Sequence, residues 1–321
     1  MTNVQQEVDE RSNLTSSNKF ELLLFRLGGD PDGTHSELYG MNVFKIREIA
    51  AMPALTSIAE SHPHMLGVVN LRGQVIPVID LPAVVGCNPT KGLNILLITE
   101  FARTTQAFAV ESVDEIVRLE WKDVLSAEGT AAGAYVTSIA RIDGNVQDTR
   151  LAQVLDVETI LRDMTPSKGP DIDPETIGPN LPMKQGSVIL AADDSHIART
   201  LIEQSLQALG APYIMTKSGK EAWEKLLDIS DQVKKEGVSL SDKVALVLSD
   251  LEMPEMDGFT LTRNIKQDPR FQGLPVVIHS SLSGSTNENH VKSVGADAYV
   301  AKFLAEDLAS TIRRVISKAP A

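Results

Sequence analysis

This chain has only one cysteine, no long apolar run and no excess of basic residues. Its one cysteine, Cys87, can form no intramolecular disulfide and disfavours a cysteine-based zinc site. No apolar run approaches the ~18 residues that a membrane span requires, and the N-terminus lacks the apolar core of a signal peptide. The 43 acidic and 30 basic residues give a formal charge of −13, which disfavours nucleic acid as a partner. Together these absences predict a cytoplasmic protein.

The length and composition predict two domains, because 321 residues with 42% hydrophobic content suffice for two separate cores. Residues 1–17 are polar and hold too little apolar material to pack, so we predict a disordered leader. Residues 165–186 hold five of the sixteen prolines and show no helical or strand periodicity, which predicts a linker. The predicted domains are therefore residues 18–164 and 187–321.

The two predicted domains differ in their hydrophobic patterns. The first contains short β-rich runs broken by Gly, Asn, Asp and Pro, which predicts an all-β domain of small barrels. These runs are ELLLFRL, YGMNVFKIREI, GVVNLRGQVIPVIDL, NILLITE and AFAVESVDEIVRL. The second domain alternates buried-strand runs such as SVILAA with amphipathic helices such as SHIARTLIEQSLQALG. This alternation predicts five strand-and-helix units in a doubly wound α/β domain with a parallel sheet.

Polar residues follow the strands of the predicted parallel sheet, at the edge where ligands bind in such folds. They are Asp193, Asp194, Asp250, Ser280 and Lys302. Three crowded carboxylates repel one another unless a cation lies among them, and Mg²⁺ prefers carboxylate and carbonyl oxygens. A carboxylate can also act as a nucleophile toward phosphorus, with lysine and hydroxyl groups stabilising the phosphoryl oxygens. The pattern therefore predicts magnesium-dependent phosphoryl chemistry.

The segment 186–321 resembles the two-component receiver domain, as in the response regulator CheY. The resemblance rests on ADDS at 192–195, SDLEMPEMDG at 249–258, HSS at 279–281 and YVAK at 299–302. It implies that Asp250 accepts a phosphoryl group from a histidine kinase and that Lys302 pairs with that group. It further implies a Mg²⁺ site and two switch residues. The implied Mg²⁺ ligands are Asp193, Asp194, Asp250 and the backbone carbonyl of Glu252, and the switch residues are Ser280 and Tyr299.

The segment 20–164 resembles the chemotaxis coupling protein CheW, a pair of small five-stranded β-barrels that joins chemoreceptors to the kinase CheA. The resemblance rests on YGMNVFKIREI and HPHMLGVVNLRGQVIPVIDL, with the NLRG turn as the most specific match. It implies that Arg72 contacts receptor or kinase. Ile46 and Glu48, on an adjacent strand, match positions that the family uses for similar contacts.

A coupling domain followed by a receiver domain is similar to the CheV family of chemotaxis coupling proteins. That resemblance implies an adaptor recruited to membrane-associated receptor arrays, with CheA and methyl-accepting chemoreceptors as partners and CheW as a further candidate. The receiver would modulate the coupling once Asp250 is phosphorylated. Catalysis would be limited to phosphotransfer and slow hydrolysis at Asp250, so the chain would not be an enzyme in the usual sense.

Two alternative hypotheses for the function compete with this interpretation. In the first, the receiver is no longer phosphorylated and serves only as a docking surface. Phe303 favours it mildly, because receiver domains usually have a proline after the lysine that corresponds to Lys302. The second is a phosphatase of the haloacid dehalogenase type, which places a second Asp two residues after its nucleophile. It is disfavoured because Glu252 stands at that position.

Overall fold

The fold is described from a computed structural model of the chain, and the description covers eight ranges of residues. They are 19–29, 36–101, 104–127, 133–144, 146–164, 177–281, 291–302 and 305–318. The predicted leader and residues 165–176 of the predicted linker lie outside these ranges. Within them, no helix has both the length and the apolar composition that a membrane crossing would need. The chain divides into two compact units, which correspond to residues 19–164 and 177–318 of the described part.

The first unit contains two sheets of mostly antiparallel strands. One sheet has six strands in the order β8-β1-β2-β11-β10-β9. Its strands are β1 (Lys19–Arg26), β2 (Leu38–Asn42), β8 (Ser112–Glu120), β9 (Val124–Ser126), β10 (Val136–Arg141) and β11 (Leu151–Leu155). The other sheet has five strands in the order β3-β6-β7-β5-β4. Its strands are β3 (Ile46–Ala51), β4 (Met65–Leu71), β5 (Gln74–Asp80), β6 (Ile95–Phe101) and β7 (Thr104–Val110). The predicted all-β architecture is confirmed, with six strands rather than five in the first sheet.

Both sheets close on themselves. Strands β8 and β9 form opposite edges of the six-stranded sheet, although only Trp121–Asp123 separate them. Four peptide units span at most ~14 Å, whereas the edges of a flat six-stranded sheet lie ~24 Å apart, so this sheet must curl. In the five-stranded sheet, Thr56 follows edge strand β3 and exchanges two backbone hydrogen bonds, of 2.8 and 2.9 Å, with Val68 of the opposite edge strand β4. Each sheet is therefore a small barrel.

Strand β1 shows how the two barrels share a core. Its alternate side chains Phe20, Leu22 and Leu24 belong to the cluster inside the six-stranded barrel. The intervening Leu23 and Phe25 belong to a second cluster that also contains residues of the five-stranded sheet. Because successive side chains of a strand point to opposite faces, burial of both faces requires the continuous apolar run that the sequence shows. The short helix α1 (Leu81–Val85) and the amphipathic helix α2 (Val157–Met164) contribute to this shared core.

The second unit is a five-stranded sheet in the order β13-β12-β14-β15-β16, with every adjacent pair parallel. This architecture confirms the predicted doubly wound α/β domain. The strands are β12 (Val188–Ala192), β13 (Tyr213–Thr216), β14 (Val244–Ser249), β15 (Val276–Ser280) and β16 (Ala298–Ala301). The helices are α3 (His196–Ala208), α4 (Gly219–Glu236), α5 (Gly258–Gln267) and α6 (Ala305–Ile316). The helix predicted between β15 and β16, NENHVKSVG at 287–295, lies only partly in the described residues, of which 291–293 are helical.

Residues 177–186 of the predicted linker pack against the second unit. Ile177 is 2% exposed and Leu181 8% exposed, and both belong to the core of the α/β unit. Arg313 of α6 donates through Nη2 to the carbonyl oxygens of Ile177 at 3.0 Å and Pro179 at 2.7 Å. The packed unit therefore begins at least ten residues before the predicted boundary at residue 187, because two apolar residues in a proline-rich stretch complete its core.

Candidate functional site

The predicted site residues converge at the carboxyl edge of the parallel sheet. Strand β12 pairs with β14 so that Ala192 lies opposite Ser249, and each strand is followed directly by an aspartate. Strand β15 pairs with β16 so that Ser280 lies opposite Ala301, which precedes Lys302. Because parallel strands end at one edge, this register places the polar side chains side by side.

Three carboxylates form the centre of the site. Asp193, Asp194 and Asp250 each offer an oxygen, and these oxygens all lie within 4.8 Å of one another. Asp193 is fully buried and Asp250 is 5% exposed, whereas Asp194 is exposed to solvent. The cluster is therefore enclosed on the protein side and open on the side of Asp194.

Lys302 lies between the two buried carboxylates. Its Nζ is 2.7 Å from Oδ2 of Asp250 and 2.8 Å from Oδ2 of Asp193, and its side chain is 1% exposed. The other oxygen of each carboxylate accepts a backbone N–H. Asp250 Oδ1 accepts from Leu251 at 2.6 Å and Asp193 Oδ1 accepts from Ser195 at 3.0 Å. Both buried carboxylates are thus fixed at both oxygens.

Arg199 is a site residue that the sequence analysis missed. It lies in the first turns of helix α3 and is 8% exposed. Its Nη1 donates to the carbonyl oxygens of Asp193 at 3.0 Å and Asp194 at 2.6 Å. The position follows a strand-ending acidic pair by five residues, which is one helical turn after the helix begins. That spacing is the signal that could have identified it.

The phosphoacceptor-like loop after β14 turns back tightly on itself. Gly258, the first residue of helix α5, donates its N–H to the carbonyl of Leu251 at 2.9 Å. A Cβ at Gly258 would lie 2.0 Å from the carbonyl oxygen of Asp250, so only glycine allows this approach. Asp257 caps α5 by accepting the N–H of Thr260 at 2.6 Å. Burial raises the pKa of Asp257, although hydrogen bonds from Thr260 oppose the shift.

The remaining receiver residues surround this centre. Ser280 is 1% exposed, ends the strand between those that carry Asp250 and Lys302, and accepts the backbone N–H of Lys302 through its carbonyl at 2.9 Å. Tyr299, on edge strand β16, and Glu252, two residues after Asp250, are half-buried. Their roles in switching and metal binding stay predictions. Phe303 lies outside the described residues.

The carboxylate cluster suits a hard divalent cation. Mg²⁺ takes oxygen ligands at about 2.1 Å in octahedral geometry, so its ligand oxygens lie ~3 to 4 Å apart. Three carboxylate oxygens within 4.8 Å of one another need only small side-chain adjustments to reach those separations. The exposed position of Asp194 leaves room for the retained waters and phosphate oxygen that commonly complete a Mg²⁺ site.

The three residues predicted for partner contacts in the β unit have different environments. Arg72 is at the tip of the β4-β5 hairpin, and its Nη2 donates to Glu48 Oε1 at 2.7 Å. The side chains of Arg72 and Glu48 are 76% and 25% exposed. Ile46 is only 2% exposed and packs in the core shared by the barrels. This burial disfavours the contact predicted for Ile46, because its side chain presents almost no surface to a partner, and the contact stays a prediction.

Comparisons with known proteins agree with this architecture. Residues 21–164 match the family described as "CheW-like domain", and residues 189–313 match "Response regulator receiver domain". Chemotaxis protein CheV3 of Helicobacter pylori is 31% identical over 318 residues, covering 97% of this chain and 99% of CheV3. CheV2 of the same organism is 29% identical over 327 residues, covering 97% of this chain and 99% of CheV2.

The fold, the site and the comparisons identify the class of protein as a chemotaxis adaptor in which a CheW-like domain precedes a receiver domain. The match to CheV3 extends over nearly the full length of both chains and includes both domains in the same order. The chain belongs to the CheV family.

Proposed function

We propose that this adaptor couples chemoreceptors to the histidine kinase CheA and that phosphorylation of Asp250 modulates the coupling. One observation carries the proposal: Asp250 is joined to a buried lysine and lies beside two further carboxylates at the carboxyl edge of a parallel sheet. That arrangement gives a nucleophilic oxygen, a cation for phosphoryl oxygens and ligands for Mg²⁺ in one place.

The arrangement of Asp250 and Lys302 is compatible with direct phosphotransfer to Asp250. An Asp250 carboxylate oxygen bonds to phosphorus as the phosphorus–nitrogen bond of a phosphohistidine breaks. The imidazole keeps the electron pair of that bond and takes up a proton. Lys302 Nζ, 2.7 Å from Asp250 Oδ2, is within reach of a phosphoryl oxygen at that position. Mg²⁺, held by Asp193, Asp194, Asp250 and the Glu252 carbonyl, would supply charge neutralisation for the phosphoryl group when bound. Each chain accepts one phosphoryl group, so it acts as a regulated adaptor and not as an enzyme.

The switch is assigned to Ser280 and Tyr299. Ser280 ends the strand next to that of Asp250, so its hydroxyl can contact a phosphoryl group on that residue. Tyr299 lies on edge strand β16 beside Ile278, two residues before Ser280. Movement of the serine thus changes the packing next to an edge tyrosine. Phosphorylation can alter receptor–kinase coupling only by the difference in contacts between the two receiver states, typically ~1 to 3 kcal/mol.

Backbone strain supports a role for Arg72 in partner binding. The two-residue turn Arg72–Gly73 places both residues at positive φ, 51° and 86°. Turns of this kind favour Asn-Gly, because a side chain such as arginine is disfavoured in left-handed conformation by ~1 kcal/mol. The exposed pair with Glu48 recovers less than that in water. An arginine held in a strained position and pointing into solvent is a reasonable contact for an acidic or polar partner surface.

Phosphoryl transfer from radiolabelled phospho-CheA, with and without Mg²⁺, tests the receiver part of the proposal. We expect label on the wild type only with Mg²⁺ and none on Asp250→Asn. Asp268→Asn is the matched control, because Asp268 caps a turn through Arg270 outside the site and should leave labelling unchanged. Absence of label on the wild type under every condition would refute phosphorylation and leave the docking-surface adaptor.

Sedimentation with receptor-containing membranes and CheA tests the coupling part. Arg72→Asn should reduce co-sedimentation several-fold, while Asp250→Asn should keep it. Arg150→Gln is the control, because Arg150 is also exposed, at 47%, and also ion-paired, but lies on the six-stranded barrel with Asp143 and Glu115. Equal binding by Arg72→Asn and the wild type would remove Arg72 from the proposed interface.

A further inference from the structure

Arg199 is distinguished by what its guanidinium holds. A single nitrogen, Nη1, donates to the carbonyls of two consecutive residues, Asp193 at 3.0 Å and Asp194 at 2.6 Å. The side chain is 8% exposed, so these bonds lie largely away from water. Guanidinium stays protonated at any physiological pH and has a rigid planar arrangement of donors. The backbone of the acidic pair is therefore fixed from one side by a permanent cation.

The acidic pair needs such a restraint. Consecutive residues in an extended chain direct their side chains to opposite faces. Asp193 is fully buried and Asp194 is exposed, yet oxygens of both lie within 4.8 Å of each other and of Asp250. The chain must turn between β12 and helix α3 to bring both carboxylates to one point. Ser195 N–H, which donates to Asp193 Oδ1, fixes this turn at one end, and Arg199 fixes the two carbonyls.

We infer that Arg199 is a positioning residue for the cation site, holding the Asp193–Asp194 backbone so that both carboxylates face one metal ion. This inference rests on the proposed metal-dependent phosphoacceptor function. Arg199 contacts the backbone of the predicted metal ligands Asp193 and Asp194, so it would act on the metal through them.

The charge of Arg199 makes the inference testable by the sign of an effect. Apart from geometry, a guanidinium near a divalent cation repels it, so removing the charge should tighten metal binding. Loss of correctly placed ligands should weaken it, and the loss of groups that orient metal ligands typically costs 10- to 100-fold in affinity. The two effects on metal affinity oppose each other. We expect the loss of ligand placement to outweigh the loss of charge repulsion, so the metal Kd should rise.

The experiment measures Mn²⁺ binding to the full chain, with free Mn²⁺ followed by electron paramagnetic resonance and Mg²⁺ added in competition. Arg199→Gln should raise the Mn²⁺ Kd about tenfold despite the removal of a positive charge. Arg199→Lys keeps the charge, but its nitrogen lies one bond nearer the backbone than Nη1, which donates to both carbonyls here, so it should also raise the Kd by several-fold. Circular dichroism and the fluorescence of Trp223, which packs on Phe271 in this domain, verify folding.

Arg313→Gln is a closely matched control. Arg313 also donates from one guanidinium nitrogen to two carbonyls, those of Ile177 and Pro179, but outside the acidic cluster. It should lower stability and leave the Mn²⁺ Kd unchanged.

Unchanged or tighter binding by a folded Arg199→Gln would overturn the inference and leave the metal site intact. If that variant does not fold, wild-type affinity in Arg199→Lys would overturn it equally. Absence of competed Mn²⁺ binding by the wild type would refute the metal-dependent function itself, and the inference with it.

Discussion

Two of the ion-paired sites in the chain, one in each domain, differ greatly in their exposure to solvent. In the receiver, Lys302 lies between Asp193 and Asp250, and all three side chains are almost completely buried. In the CheW-like domain, Arg72 pairs with Glu48 at a similar distance, but the arginine is 76% exposed. The bond lengths are alike, whereas the surroundings are not.

The difference in burial changes the energetic cost of removing one partner from an ion pair. Removing one partner from a buried pair leaves an uncompensated charge in a poorly solvated place, which costs several kcal/mol. Removing one partner from an exposed pair leaves a charge that water solvates, which typically costs less than ~1 kcal/mol. A substitution at the buried site should therefore strongly affect folding, whereas one at the exposed Arg72–Glu48 pair should affect it little.

The chain allows the two domains to be followed separately. It has two tryptophans: Trp121 packs on Phe20 in the CheW-like domain and Trp223 packs on Phe271 in the receiver. A Trp121→Phe background therefore reports receiver unfolding, and a Trp223→Phe background reports unfolding of the CheW-like domain. Separate reporters are needed because unfolding of a two-domain chain is not a single two-state transition.

Lys302→Met should have the largest effect on stability. Without metal, it should lower the free energy of receiver unfolding by about 3 kcal/mol, because two buried carboxylates lose their shared cation. Millimolar Mg²⁺ should restore part of the loss. Urea unfolding followed by Trp223 measures both. Lys220→Met is the control, since Lys220 and Glu255 are 51% and 54% exposed, and it should cost less than ~0.5 kcal/mol. Equal losses in the two variants would contradict the distinction.

Glu111→Gln should have an intermediate, pH-dependent effect. Burial alone would raise the pKa of Glu111, but hydrogen bonds from the Lys91 N–H and Thr90 outweigh it, so the pKa lies below its ordinary value of 4.5. A lowered folded-state pKa stabilises the protein above pH ~4.5, and this contribution is lost as pH falls through the folded-state pKa.

The substitution should therefore cost about 1 kcal/mol at pH 7, with the deficit shrinking on acidification. Urea unfolding followed by Trp121 between pH 7 and pH 3 provides the measurement. Glu115→Gln, at a 48% exposed side chain paired with Arg150, serves as the comparison and should change little. A deficit for Glu111→Gln that is constant with pH would show that the carboxylate charge is not its origin.

Arg72→Asn should have the smallest effect on stability, and of opposite sign. Asparagine tolerates the left-handed backbone better than arginine, and the lost ion pair is exposed, so we expect a gain of about 0.5 kcal/mol. Glu48→Gln removes the pair without altering the turn and isolates its contribution. Both are measured by urea unfolding followed by Trp121. A loss above ~1 kcal/mol for Arg72→Asn would mean that the exposed pair stabilises the domain as a buried one does.

Sequence patterns predicted the receiver more completely than the CheW-like domain. Each parallel strand is a short buried run, and the residue after it is placed at the sheet edge by topology alone, which is why Asp193, Asp250 and Lys302 were predicted together. Arg199 was missed because its charged side chain lies on an amphipathic helix, where a solvent-facing direction is the ordinary expectation. Its spacing from the acidic pair is visible in the sequence, but the direction of its side chain toward the strand end is set by tertiary structure.

In the CheW-like domain, apolar runs concealed strand boundaries. The run AFAVESVDEIVRL resembles one strand, but the structure divides it at Glu111 into β7 of one barrel and β8 of the other. YGMNVFKIREI divides in the same way at Val43–Lys45. Strands of both barrels have apolar residues on either side of such crossings, so the hydrophobic pattern continues where the pairing partner changes. Burial of Ile46 follows directly from its place just after one of these crossings, in the core that the barrels share.

Closure of the two barrels has a consequence for recognition. A sheet with free edges can bind an extended peptide by strand addition, in which backbone hydrogen bonds supply affinity with little regard to sequence. In the described part of the CheW-like domain, Trp121–Asp123 bring the ends of one sheet together, and the Thr56–Val68 bridge joins the ends of the other. The edges of each sheet therefore face one another within the domain rather than standing open to a peptide. We therefore expect side chains rather than strand addition to select partners, so that single substitutions at the surface can redirect the choice.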